Sequence, residues 1–205
     1  LAIAFLAVSS HATAAPLSPA YTESEFRFYL EDLGAKALLT LPNNAEAAHS
    51  AAGETVVRVA LKGSGNSMRF DAESTHSEVK GGSPGADDVA LLLHTSGTTS
   101  RPKLVPLTQR NLATSAKNIG TSLALTSKDC CLNVMPLFHI HGLVAAVLSS
   151  LAAGGSVACT PGFDGFRFFR WIEEFQPTWY TAVPTMHQII LQRAKQNADL
   201  TSQKP

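Results

Sequence analysis

The order of apolar runs and helical periodicities predicts an α/β domain, with mostly parallel sheets and flanking helices. Three observations carry this. Short apolar or β-branched runs alternate with amphipathic stretches along most of the 205 residues, and strands separated by helices pair in parallel. Some 45% of the residues are apolar, enough for a packed core and too many for a disordered chain. Two loops rich in polar side chains, around Gly97 and around His139, each follow a strand-like run and precede a helix. That is the edge at which open parallel sheets collect ligands.

Taken in order, ATAAPL (12–17) reads as a strand. Thr22 and Glu25 form a capping box ahead of a helix with Phe26, Tyr29, Leu30 and Leu33 on one face, and Gly34 stops it. Lys36 to Leu41 is a strand ended by Pro42. Asn43 and Glu46 repeat the cap spacing before an alanine-rich helix, and Thr55 to Leu61 is a β-branched run expected as a buried strand. From 62 to 88 the composition turns to glycine, serine and charge, which predicts a flexible surface excursion. Val89 to Leu93 is a strand, and Thr108 opens a helix with Leu112, Ala116, Ile119 and Leu123 on one face.

Cys130 to Val134 is the next strand, and Met135 to His141 leaves it as a loop. The following helix carries Leu143, Val147 and Leu151 and closes at Gly154 and Gly155. Val157 to Thr160 is a strand. Phe166, Phe169, Ile172 and Phe175 share a helical face expected to lie in the core, and Pro177 ends that helix. Thr178 to Val183 is a strand, and Thr185 with Gln188 is expected to cap a helix carrying Met186, Ile189 and Ile190. Residues 1–195 thus form one unit, and 196–205 reads as a frayed tail.

Composition narrows the function. Sixteen basic residues balance sixteen acidic ones, so no net field favours nucleic acid or an anionic membrane, and any polyanion must be held locally. No run is long enough for a membrane span. The three cysteines, Cys130, Cys131 and Cys159, offer neither an even set for disulfides nor a CxxC metal pair. Buried thiols in a reducing compartment are the simpler account, and no metal-ligating set is expected.

The most informative stretch is HTSGTTSRPK, His94 to Lys103. A glycine among hydroxyl side chains offers bare backbone N–H groups and rotatable O–H donors together, and Lys103 adds a cation, which is the chemistry a polyphosphate needs. Placed between a strand and a helix, such a loop also gains from a helix N-terminus facing the phosphate. The P-loop pattern GxxxxGK[ST] fails, because Pro102 stands where the second glycine belongs and Leu104 follows Lys103. A glycine-and-hydroxyl turn by itself is ordinarily a turn without a ligand.

The string TSGTTSRPK, followed by VPLTQ, MPLFHIHG and WYTAVPTMHQIIL, resembles the AMP-forming acyl-activating ligase superfamily. That superfamily includes acyl-CoA synthetases and 4-coumarate–CoA ligases. Among its branches the chain is most similar to the oxalate–CoA ligase-like one, in which serine follows TSGTT as Ser100 does here. The resemblance runs from about Ala2 to Ala194 and implies part of the N-terminal domain of such a ligase. LAIAFLAVSSHATAAPL superficially looks like a secretory signal. It has no initiator methionine and no basic residue before the apolar run, and the ligase resemblance continues through it. The chain is therefore expected to begin inside a larger protein, not to be secreted, and to be cytoplasmic or peroxisomal.

The resemblance implies a two-step reaction: a small carboxylic acid, oxalate among the possibilities, attacks the α-phosphorus of ATP, and the thiol of CoA then displaces AMP, with Mg²⁺ accompanying the nucleotide. By matching positions, Thr95, Ser96, Gly97, Thr98, Thr99 and Lys103 become the phosphate-contacting set. His139 takes the catalytic place beside the acyl group and α-phosphate, and His141 falls where relatives present a side chain to the acyl pocket. Each histidine alone reads equally well as a hydrogen-bonded loop residue, His187 reads as helix decoration, and His94 as a brace behind the loop. Leu104 departs from the family's usual glycine and either distorts the loop or packs outward. The family's later adenine, ribose and hinge motifs and its C-terminal lid domain have no counterpart before Pro205. On that ground the chain alone is expected not to complete the reaction, and the alternative is a non-catalytic product that at most binds nucleotide or a partner weakly.

Overall fold

The computed structural model describes residues 1–41, 45–54, 56–63, 65–72, 82–95 and 102–197. Helix α1 (Ala2–Ser9) buries Phe5 beside Ala90, Leu91, Leu112 and Leu143. Ala14 then bridges in parallel to Leu91, its N–H donating to Ala90 O at 2.9 Å and its carbonyl accepting from Leu92 N–H at 2.8 Å. The expected strand is therefore present as a single bridge.

Helix α2 (Glu23–Asp32) has its full capping box: the Thr22 hydroxyl accepts the Glu25 N–H at 3.3 Å, and the Glu25 carboxylate accepts the Thr22 N–H at 2.7 Å. Gly34, at φ +56°, takes the chain out of it. Strands β1 (Ala37–Thr40) and β2 (Val57–Lys62) are parallel, with α3 (Glu46–Ala51) between them. Helix α3 starts from Ala45 with no side-chain cap, and Asn43 lies outside the described residues. Phe26, Leu30, Leu38 and Ala48 form the core of this lobe.

The structure adds two details to the expectations for this lobe. Strand β2 is half-buried along most of its length, not fully buried. The 62–88 stretch contributes a strand, β3 (Arg69–Ala72), antiparallel to β2. All four of its residues are exposed, so no apolar periodicity marked it. Residues 73–81 lie outside the described set.

Strands β4 (Val89–Thr95) and β5 (Lys103–Thr108) form an antiparallel pair, and α4 (Gln109–Ser122) follows directly. Thr108 caps α4, accepting the Asn111 N–H at 3.2 Å while Asn111 Oδ1 accepts the Thr108 N–H at 3.0 Å. Leu112 and Ala116 are buried as expected, but Leu123 is the exposed C-cap.

The third sheet is fully parallel, in the order β7 (Ser156–Cys159), β6 (Cys130–Asn133), β8 (Trp179–Thr181). Between β6 and β7 runs α5, a π-helical stretch His141–Leu148 continuing as α-helix Ser149–Ala152. The wider winding changes the phase, so Leu143 and Val147 are buried while Leu151 is exposed and Ser149 and Ser150 take inner positions. Their hydroxyls donate to the carbonyls of Ala145 and Ala146, which satisfies them there.

Helix α6 (Phe168–Phe175) and α7 (Pro184–Ala194) cover β6 and β8. Helix α6 starts two residues later than the aromatic stripe implies, because Asp164 receives the N–H groups of Phe166 and Arg167 on its side chain at 2.8 and 3.2 Å. The buried face is consequently Phe168, Phe169 and Trp171, while Phe166 and Phe175 face solvent. Burying one such ring stabilises the fold by roughly 1.5–3 kcal/mol. Helix α7 starts on Pro184 with Val183 as N-cap and no side-chain cap, so Thr185 sits inside its first turn.

Cys131 is buried, and burial pushes its thiol up to about 12. Cys159 is exposed, against expectation, since β7 is an edge strand. None of the described helices is long and apolar enough to cross a membrane.

Candidate functional site

The β4–β5 pair places the two ends of the hydroxyl-rich loop side by side. Thr95 and Lys103 are register partners, with Thr95 Oγ1 3.5 Å from Lys103 O, and both are exposed. Ser96, Gly97, Thr98 and Thr99 lie outside the described residues. The loop thus joins two antiparallel strands, not a strand and a helix. Thr108, which caps α4, pairs with Val89 at the opposite end of the hairpin. Six residues of β5 separate the loop from that helix, roughly 20 Å at strand rise. A helix terminus acts within about its first turn, so the N-terminus of α4 adds little field at Thr95 and Lys103, the described ends of the loop. Leu104 pairs opposite His94 in ordinary extended backbone with its side chain partly exposed.

His94, one residue before Thr95, braces the hairpin. Its Nε2 lies 3.0 Å from Asp32 Oδ2 at the end of α2, and its ring meets Tyr29 edge-on at 4.6 Å. Tyr29 in turn stacks on Tyr21 at 4.8 Å. Burial, and then the Tyr29 hydroxyl, push the Tyr21 phenol up to about 12.

The second loop grows from the end of β6. Asn133 is buried and closes the first turn, accepting the Met135 N–H at 3.2 Å and donating from Nδ2 to Met135 O at 3.3 Å. The His139 N–H then donates to Pro136 O at 3.3 Å, and the His139 carbonyl accepts the Leu143 N–H at 3.2 Å. The loop therefore folds back onto the start of α5, where a Cβ on Gly142 would stand 2.6 Å from Pro136 O. That contact explains physically why glycine closes MPLFHIHG.

His139 is exposed, with its ring 4.6 Å from Phe138. His141 is half-buried, its Nε2 is 2.7 Å from Thr181 Oγ1, and burial lowers its pKa. At neutral pH its ring is therefore uncharged. His187 pairs instead with Tyr180, whose hydroxyl is 3.3 Å from Nδ1.

The two loops spring from one core. Leu93, two residues before Thr95, and Leu137, two residues before His139, both pack against the cluster of Leu91, Leu143 and Val144. Among the described residues no group of three or more His, Cys, Asp or Glu side chains is placed to hold a metal ion.

A family model described as AMP-binding enzyme matches residues 1–204. The chain belongs to the family of AMP-binding enzymes. It is 47% identical over 200 residues to the oxalate–CoA ligase of Arabidopsis thaliana, covering 93% of this chain and 39% of the plant protein. It is 35% identical over 223 residues to the oxalate–CoA ligase of Saccharomyces cerevisiae, covering 95% of this chain and 41% of the yeast protein. ATP-bound MatB from Rhodopseudomonas palustris matches with a TM-score of 0.71 at 28% identity, over 92% of this chain and 38% of that one. The chain spans about two fifths of the length of the curated relatives it matches.

Within this AMP-binding enzyme fold, three side chains that support the site were not singled out by sequence: Thr181 on His141, Asp32 on His94, and Asn133 under the second loop. Thr181 carried one usable signal, its place at the end of a strand whose parallel neighbour leads into the histidine loop.

Proposed function

We propose that this chain supplies the phosphate- and acyl-facing part of an AMP-forming acyl–CoA ligase that activates a small carboxylic acid, with oxalate the leading candidate. The carboxylate oxygen bonds to the α-phosphorus of ATP, the bond to the β-phosphate bridging oxygen breaks, and pyrophosphate leaves. The CoA sulfur then bonds to the acyl carbon, and AMP departs.

In this reading Thr95, Ser96, Gly97, Thr98 and Thr99 contribute hydroxyl and main-chain donors to the β- and γ-phosphates, and Lys103 neutralises the charge that leaves. That is positioning and electrostatic work, the main demand of phosphoryl and nucleotidyl transfer. His139, exposed at the loop tip, contacts the acyl and α-phosphate oxygens. His141, neutral and half-buried, offers the acid a hydrogen bond with no net charge, which suits a short polar acid and not a long alkyl chain.

The observation that supports this most is the shared origin of the two loops on one buried cluster through Leu93 and Leu137, in a chain 47% identical to a protein named as an oxalate–CoA ligase. A cytoplasmic or peroxisomal enzyme is the accompanying proposal. The test uses the protein translated from the full reading frame around these residues, incubated with ATP, CoA and single acids. Mass spectrometry is expected to find AMP and the short acyl-CoA with oxalate or another short acid. Product from palmitate alone would overturn the assignment of acid class.

A further inference from the structure

His141 sits on the first turn of α5, and the atom that holds it comes from a different element: Thr181 Oγ1, 2.7 Å from Nε2. Thr181 ends β8 in register with Asn133, the last residue of β6. The hydroxyl therefore projects from the carboxyl edge of a parallel sheet, on backbone fixed by strand pairing. A neutral imidazole carries one N–H donor and one lone-pair acceptor, and the partner of one nitrogen decides the character of the other. Burial keeps the His141 ring in its neutral form near pH 7. A hydroxyl serves either tautomer, but a carboxylate only accepts.

We infer that Thr181 is a positioning residue for acid recognition: its hydroxyl donates to Nε2 of His141, which leaves the ring proton on Nδ1 as a hydrogen-bond donor to a carboxylate oxygen of a short, polar acid. This rests on the placement of His141 in the acid pocket proposed above. The arrangement selects by polarity. An acid with a second acceptor satisfies the Nδ1–H, whereas an alkyl chain leaves a half-buried donor without a partner, the asymmetry by which polar sites reject apolar analogues. Thr181 contacts no reacting atom in this scheme.

The test is ¹⁵N NMR on histidine-labelled protein at pH 7, alone and titrated with oxalate and with malonate. Wild type is expected to show Nδ1 protonated and Nε2 bare at His141, with the Nδ1 signal moving as acid binds. Thr181→Val is expected to lose that tautomer preference and bind the acids about fivefold more weakly, one hydrogen bond's worth. Thr181→Ser is expected to keep both. An Nε2–H tautomer in wild type, or a Thr181→Val protein with unchanged tautomer and acid affinity, would overturn the inference. If Thr181→Val fails to fold, the wild-type tautomer and the Thr181→Ser titration still decide it. Acid binding on the fixed tautomer without acyl-adenylate formation in the full-length protein would refute the ligase reading and leave this inference standing. Acyl-adenylate formation with the Nε2–H tautomer would do the reverse.

Discussion

A Cβ added to Gly142 would lie 2.6 Å from the carbonyl oxygen of Pro136 and 3.1 Å from that of Met135. Both obstacles are backbone, so neither moves as a flexible side chain would. Gly142→Ala is expected to force the histidine loop off the start of α5 and destabilise the protein by about 1–3 kcal/mol, the range for overpacking. Urea unfolding measures it. A loss below about 0.5 kcal/mol would show that the loop relaxes freely.

Lys103 is exposed on β5 opposite Thr95, so its removal leaves packing intact. Lys103→Ala is expected to change stability by less than about 0.5 kcal/mol. Pyrophosphate affinity should fall about tenfold, the effect of roughly 1.4 kcal/mol from one near-surface charge. Urea unfolding checks the first point and isothermal titration at two salt concentrations the second, and the wild-type affinity should weaken more with salt than the variant's.

The His94–Asp32 contact ties β4 to α2 immediately before the loop. Asp32→Ala strands a ring whose side chain is only 7% exposed, at a cost of about 1–3 kcal/mol for an unpaired buried polar group. Hydrogen exchange is expected to quicken at Leu93 to Thr95 while β6 and β7 stay protected. Uniform loss of protection would mean the contact holds the whole domain.

Asp129 accepts the Thr126 N–H at 2.7 Å, the Thr178 hydroxyl at 2.8 Å and the Thr126 hydroxyl at 2.9 Å. The Thr126 backbone bond first, then the Thr178 hydroxyl, hold its carboxyl below the usual range. A depressed folded-state pKa gives stability that is present above the unfolded value, about 3.9, and is lost as pH falls through the lower folded value. Asp129→Ala should therefore be less stable than wild type at pH 6, and the gap should close toward pH 3. Thermal melts across that range check it, and a constant gap would contradict the linkage.

Much of this fold is written in local chemistry. The Thr22–Glu25 box, the Thr108 cap and the strand-helix alternation that gives β7, β6 and β8 their parallel order are all readable from short windows. What was not readable depends on pairing across distance. Strand β5 contains Pro106, which lacks an N–H and reads as loop, yet Pro106 pairs with Leu92 on a strand that has no second neighbour among the described residues, where proline is tolerated. The phase of α6 was set by Asp164, not by the aromatic spacing. The π-helical winding of α5 has no period-3.6 signature, so a 3.6 period places Leu151 inward where the structure buries Ser149 and Ser150. In the candidate site the loops are visible as strings, while the side chains that hold them, Asp32 and Thr181, lie far away in sequence.

Acid-dependent exchange of labelled pyrophosphate into ATP, measured on the protein translated from the complete reading frame, tests the central claim most directly. Exchange is expected with oxalate or another short polar acid, at background with long-chain fatty acids, and reduced by Lys103→Ala. Exchange driven only by long-chain acids, or none with any acid, would contradict it.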